Sequence, residues 1–322
     1  MEKKDKYPTQ RKKENNTQGN QQINDIISLS SGDLINGQYE IVEEIHRGEL
    51  SKIYLAEDLN TSRFKALKVF GKYHDIQMYY DHLRMNITLL SKLNHPNILK
   101  IHNFIDSDYI FMDMDYIDGE TLSQQIYEKK IDKSQLLPYA IQIANALNEA
   151  HKNNVFHTDL KPGNIMINRQ GIVKVIDFSH NLFFGGVQQS ALFTPEYIAP
   201  EVAGVINSDD NQDFDPVQQD IFAYGVTLYE MIYKKLPFNL LETRQLDYQI
   251  PARLRKSKKP IDKVIKKCIF RYPEDRYQTF EDILADLTKL KNFKTFSFKE
   301  FKKELLKKTK FKKINPEYKK DL

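Results

Sequence analysis

The sequence predicts an α+β fold in two lobes. Strand-like alternation comes first along the chain and helical spacing follows, the order expected when a sheet and a helical bundle are segregated. The 322 residues, 40% of them apolar, allow one large domain or two small ones with a sizeable core. There is no internal repeat.

Residues 1–35 are rich in Lys, Asn, Gln and Ser and are read as a disordered polar segment. Structure is expected from about Tyr39, within an ordered domain spanning 36–292. From Tyr39 to Glu57, β-branched and apolar residues alternate around Gly48, as paired strands do. Arg63 to Phe70 reads as another strand. Asp75 to Leu93 has helical apolar spacing, broken by Asn94-His95-Pro96-Asn97. Ile98–Phe104 and Tyr109–Met114 fit two more short strands. After Gly119 the pattern turns helical. Leu136 to Asn153 reads as a long buried helix, and Asp220 to Tyr233, nearly all apolar, as the centre of its lobe. Lys263 to Phe270 and Phe280 to Leu290 read as further helices. The lobes divide as 36–116 and 117–292, and 293–322 forms a basic tail.

Charge is unevenly placed. Of the net +4, residues 1–35 carry +1 and 293–322 carry +7, which leaves −4 on 36–292. A mildly acidic domain does not suggest nucleic-acid binding. One cysteine excludes an internal disulfide and fits a reducing compartment, the cytoplasm of the producing cell or of a host cell if the protein is exported. Without an apolar run of membrane-spanning length, no transmembrane segment is expected. Phe298, Phe301 and Leu305 share a helical face in the tail, which reads either as docking to an anionic membrane or acidic partner, or as a solvated Lys-rich helix.

The most informative stretch is His157-Thr158-Asp159-Leu160-Lys161-Pro162-Gly163-Asn164, with Asp177-Phe178 thirteen residues after Asn164. Asp159 can take or orient a hydroxyl proton. Lys161 can neutralise a transferring phosphoryl group. Asn164 and Asp177 can supply oxygen ligands to Mg²⁺. Phosphoryl transfer asks mostly for positioning and charge neutralisation, and these residue types supply both.

This stretch resembles the catalytic loop and metal-binding segment of the eukaryotic-like (Hanks-type) serine/threonine protein kinase family, and the resemblance covers about residues 36–292. It implies a two-lobed kinase fold that transfers the ATP γ-phosphate, with Mg²⁺, to Ser or Thr hydroxyls of protein substrates. Asp159 would be the base and Lys161 the charge neutraliser. The strand pair around Gly48 is similar to the glycine-rich loop, with His46 and Ser51 at the outer glycine positions, a bacterial style. Ala66-Leu67-Lys68 matches the strand whose Lys reaches the α- and β-phosphates. Ile53 and Ala66 would cover the adenine and Met166 lie beneath it. Met114, at the rear of the pocket, begins a hinge whose backbone near Asp115, Tyr116 and Ile117 would bind the adenine edge. Asp118 and Glu120 read either as ribose contacts or as helix-capping and first-turn charge.

Thr194-Pro195-Glu196-Tyr197-Ile198-Ala199-Pro200-Glu201 resembles the family's substrate loop, with Phe193 where Gly is common. Thr194 would tie Asp159 to Lys161, a serine/threonine-type feature. Glu201 should pair with Arg276, and Asp220 should brace the catalytic-loop backbone. The stretch between Glu201 and Asp220 is expected to hold an inserted acidic surface loop.

Departures from the pattern are equally specific. The helix position that usually carries the Glu partner of the phosphate-binding Lys, nine residues before His95, holds Asn86. Thr158 replaces an Arg that receives an activation-loop phosphate, and Ser179 replaces a Gly. These residues support an alternative, a pseudokinase that keeps the fold and acts as a scaffold or regulator. A second alternative is a small-molecule phosphotransferase of related fold.

Overall fold

The computed structural model describes residues 28–48, 51–71, 84, 87–178, 194–205, 215–238 and 249–291. Asn86, Ser179, Phe193, most of the expected helix from Asp75, the core of the expected acidic insertion and the basic tail lie outside these residues.

The small lobe is a six-stranded sheet in the order β1-β2-β3-β4-β6-β5. Its strands are β1 (Leu34–Ile35), β2 (Tyr39–Arg47), β3 (Ser51–Asp58), β4 (Arg63–Phe70), β5 (Ile101–Asp106) and β6 (Ile110–Asp115). All neighbours are antiparallel. The period of two divides the side chains between two cores. Tyr54, Ala56, Leu67, Val69 and Phe111 face one side with Ile35, Tyr39 and Ile41. Ala66, Phe70, Met112 and Met114 face the other, against Ile87 and Leu90 of the helical stretch 87–92 and Leu93 just after it.

Helix ends shift by up to four residues from the sequence expectation, to Lys133–Lys152, Pro216–Tyr233 and Pro260–Cys268, and in the small lobe two boundaries differ. The ordered chain starts before Tyr39: β1 pairs with β2 through Leu34↔Glu40 and Ile35↔Tyr39. Ile35 is buried, and Leu29 packs beneath the same face while its N–H donates to the Tyr54 hydroxyl at 3.2 Å. Average polarity hid these two apolar residues. The expected strand at Ile98–Phe104 begins instead at Ile101. Ile98 and Leu99 pair with Val175 of the large lobe, by a parallel bridge and a 3.0 Å hydrogen bond.

The large lobe begins with a three-stranded sheet, β7 (Gly119–Thr121), β8 (Ile165–Asn168) and β9 (Val173–Val175). Its helices are α1 (Leu122–Tyr127), α2 (Lys133–Lys152), α3 (Pro200–Val205), α4 (Pro216–Tyr233), α5 (Ala252–Lys256), α6 (Pro260–Cys268) and α7 (280–291). The α4 helix is buried almost from end to end. Gly225 permits this, because a Cβ there would stand 2.6 Å from both Cys268 Cβ and Ile269 Cγ2. Cys268 itself is wholly buried. Among the described residues no helix is long and apolar enough to cross a membrane.

Candidate active site

Three segments meet between the lobes: β4, the loop between α2 and β8, and the residues after β9. The middle segment is fixed from below. Asp220, fully buried on α4, accepts the backbone N–H of His157 at 2.8 Å and of Thr158 at 2.7 Å. His151 of α2 reaches the same carboxylate at 2.8 Å. These bonds hold Thr158 at φ 63°, a left-handed conformation that a β-branched residue adopts at a cost of about 1–3 kcal/mol. The result is a sharp turn that lifts Asp159 towards the cleft.

Asp159 is only 4% exposed, and both of its oxygens are engaged. The Thr194 hydroxyl donates to Oδ1 at 2.9 Å and the Thr194 N–H at 3.2 Å. Lys161 Nζ donates to Oδ2 at 2.6 Å and to Thr194 Oγ1 at 2.5 Å. Asp159, Lys161 and Thr194 therefore form a closed triangle. Asn164 Nδ2 donates to the Asp159 carbonyl at 2.9 Å and to Oδ2 at 3.3 Å. The last of these is the weakest contact on the carboxylate, and the one an incoming hydroxyl displaces most readily.

Across the cleft, Lys68 Nζ lies 2.7 Å from Asp177 Oδ1. Asp177 stands at φ 62°, which turns its carboxylate out of line with β9. Beneath it, His157 and Phe178 rings meet at 4.8 Å, and His157 Nε2 bonds the Ile176 carbonyl at 2.9 Å. Complete burial pushes the His157 imidazolium pKa down, against the pull of Asp220.

The other residues expected at the site lie on, or directly after, β2, β3, β4, β6 and β8. Ala66 pairs in register with Met114, both nearly buried, and Ile53 pairs with Lys68. Met166, on β8, is opposite Thr121. The ladder ends at Asp115, whose side chain bonds His102 at 2.7 Å, so the backbone of Tyr116 and Ile117 leaves the sheet. Gly48 closes the β2–β3 turn, its N–H donating to the Ser51 carbonyl at 2.9 Å. The residue that caps α1 is Thr121, in a box with Gln124, and neither Asp118 nor Glu120. Those two acids pair with Arg169 and Lys130 at the surface.

Below the cleft, Arg276 donates to both oxygens of Glu201 at 2.7 Å. Gln219 was not singled out from the sequence. It bridges the two functional loops, taking the Ala199 N–H at 2.9 Å and donating to the Tyr197 carbonyl at 3.1 Å and the Thr158 carbonyl at 3.4 Å. Its position beside Asp220 on α4 was the available signal. Burial raises the Glu230 carboxyl pKa although the Tyr197 hydroxyl donates to it.

The donor set suits a hard cation. Asn164 and Asp177 offer oxygen only, and two protein ligands are what Mg²⁺ needs when phosphates and water complete its octahedron. Among the described residues there is no His/Cys/Asp/Glu cluster that would hold a metal by itself.

A strand-rich lobe and a helical lobe with this cluster between them make a two-lobed fold of the protein-kinase type. The family model for the protein kinase domain matches residues 39–315, and the chain belongs to that family. It is 31% identical over 276 residues to a probable serine/threonine-protein kinase of Clostridium acetobutylicum, covering 81% of this chain and 41% of the relative. With the serine/threonine-protein kinase PrkC of Bacillus subtilis the identity is 29%, covering 80% and 41%. With CBL-interacting serine/threonine-protein kinase 12 of Arabidopsis thaliana it is 28%, covering 82% and 55%. The chain thus spans about two fifths of the bacterial relatives and about half of the plant one.

Proposed function

We propose that this chain transfers the γ-phosphoryl group of ATP to serine or threonine hydroxyls of protein substrates, with Mg²⁺. The observation that carries this reading is the Asp159–Lys161–Thr194 triangle facing the Lys68–Asp177 pair across one cleft. Ile53, Ala66, Met114 and Met166 form the apolar walls for an adenine, and the backbone at Asp115, Tyr116 and Ile117 its polar edge. Gly48 lies where the nucleotide's phosphates pass, and Lys68 anchors them. Bound Mg²⁺, held by Asn164 and Asp177, supplies charge neutralisation on the phosphates.

Asp159 aligns the substrate hydroxyl and takes its proton as the new O–P bond forms and the bridging bond to ADP breaks. Lys161 offsets the negative charge on the moving phosphoryl group. Thr194 keeps both in place while presenting the substrate loop. Glu201, Arg276 and Asp220 act structurally. We also assign the chain to a reducing cytoplasm, of its own cell or of a host, and the basic tail to an anionic membrane or acidic partner.

The test is incorporation of label from γ-labelled ATP into a generic basic protein substrate, beside an Asp159→Ala control. Asp159-dependent label on Ser or Thr supports the proposal. ATP binding without transfer, even to the chain itself, supports a scaffold instead, and turnover of a sugar or aminoglycoside alone supports a small-molecule enzyme.

A further inference from the structure

The foot of the large lobe carries a basic face that phosphoryl transfer does not use. Residues 251–271 hold nine Lys and Arg against one acid, Asp262. Asp262 is buried and accepts the hydroxyls of Tyr233 and Ser257. Seven of the nine are exposed, Arg255, Lys258, Lys259 and Lys263 among them. Among the described residues, no ion pair joins any of the nine to a carboxylate.

This arrangement works against the fold's own stability. Lys259, Lys263 and Lys267 stand four residues apart along one edge of α6, where like charges repel. Lys259 is also the N-cap of α6, at the positive end of its dipole, and makes no side-chain cap bond. Out of −4 over 36–292, the +8 of this stretch leaves −12 on the rest, so charge is separated within one domain.

We propose that the α5–α6 face docks this chain on an anionic lipid surface. Several of its cations rest on tyrosine rings: Arg253 over Tyr233 at 4.4 Å, Lys267 over Tyr277 at 4.2 Å and Arg271 over Tyr272 at 5.5 Å. Tyr272 is 54% exposed. Tyr272 is the exposed ring of the three, and with the exposed cations beside it suits the headgroup level of a bilayer, where an amphipathic ring and a snorkelling charge are both satisfied, while Tyr233 and Tyr277 steady Arg253 and Lys267 from within the fold. Tyr277 in turn bonds Asp286 of α7 at 2.8 Å, which sets that helix beside α6. The chain then runs into 293–322, with eleven Lys and five Phe. Phenylalanines among lysines fit an acyl boundary under anionic headgroups, which neither an acidic protein nor duplex DNA offers. Stable peripheral binding takes two signals, and the folded face provides one independent of the tail.

The experiment is flotation of the full chain with phosphatidylcholine vesicles, with and without about 30% phosphatidylglycerol. Two variants change Arg255, Lys258, Lys259 and Lys263 together, to Glu or to Gln. A third carries Lys302→Glu, Lys303→Glu and Lys307→Glu in the tail. Circular dichroism and thermal melting establish that each is folded, and the Gln variant is read if the Glu variant is not. The proposal expects binding that requires phosphatidylglycerol and weakens with salt. It expects a loss of about tenfold or more in the Glu variant, a smaller loss in the Gln variant, and residual anionic-lipid binding in the tail variant. Absence of lipid-dependent binding, loss in the tail variant alone, or binding of duplex DNA or polyglutamate without binding of vesicles would each overturn it.

Discussion

Lys68 on β4 and Asp177 after β9, 109 residues apart in sequence, form an ion pair of 2.7 Å that joins the small lobe to the large one. The pair sets a lysine and a carboxylate side by side where the nucleotide phosphates and Mg²⁺ are placed by the proposed function. Substrate binding then exchanges one favourable charge contact for others, and no charge is left stranded.

Replacing Asp159 by Asn keeps the shape of the triangle but removes the proton acceptor. Phosphoryl transfer should fall by about 10²–10⁴-fold with little change in ATP affinity. Steady-state kinetics beside a nucleotide titration check this, and a loss below about tenfold would argue that Asp159 is no base.

Thr194→Val removes the hydroxyl that donates to Asp159 and accepts from Lys161. The expected fall in kcat is about tenfold, because two charge-assisted hydrogen bonds are lost. Thr194→Ser should restore most of it. Equal defects in the two variants would mean that the hydroxyl is irrelevant.

Arg276 uses its guanidinium on Glu201 and on the carbonyls of Phe270, Gln218 and Arg271. Its side chain is 0% exposed and Glu201 is 30% exposed. Arg276→Ala should cost about 3–5 kcal/mol in denaturant unfolding. Arg276→Lys should also be costly, since an ammonium cannot reproduce the two-pronged geometry. A cost under about 1 kcal/mol would show that the pair contributes little.

His157 supplies a pH test. Its pKa is held below the usual 6.5 by burial, so the unfolded chain takes up the proton first as pH falls. Its contribution to stability is complete above pH 6.5 and declines below it. His157→Phe should be less stable than wild type at pH 7.5, by about 1–2 kcal/mol for the abandoned Ile176 carbonyl. The difference should narrow by pH 5.5. Melting curves across that range measure it, and a constant difference would refute the assignment.

Much of the site was legible because phosphotransfer chemistry restricts residue types to a short ordered string. His157 to Asn164, with Asp177, named the groups that the fold gathers, and the sequence paired Glu201 with Arg276 across 75 residues. The strand-then-helix order was legible from period alone. Other features depend on tertiary detail. The family pattern draws the partner of Lys68 from the following helix, at the position of Asn86, which lies outside the described residues, while the Asp177 carboxylate at 2.7 Å comes from the other lobe. Asp118 and Glu120 satisfied the composition of a helix start, but the capping geometry fell to Thr121, whose short hydroxyl reaches the Gln124 N–H at 3.1 Å. The polar composition of residues 1–35 reads as disorder, yet in 28–35 Leu29 and Ile35 pack on the apolar face that the sheet presents.

The most direct measurement is calorimetric titration of ATP, with Mg²⁺ and with EDTA, into wild type, Lys68→Met, Asn164→Ala and Asp177→Asn. Convergence of these side chains on the nucleotide's phosphates predicts that Mg²⁺ tightens binding to wild type. Asn164→Ala and Asp177→Asn should lose that gain, and Lys68→Met should weaken binding in both conditions. ATP binding equally well to all four proteins, or indifferent to Mg²⁺ in wild type, would contradict it.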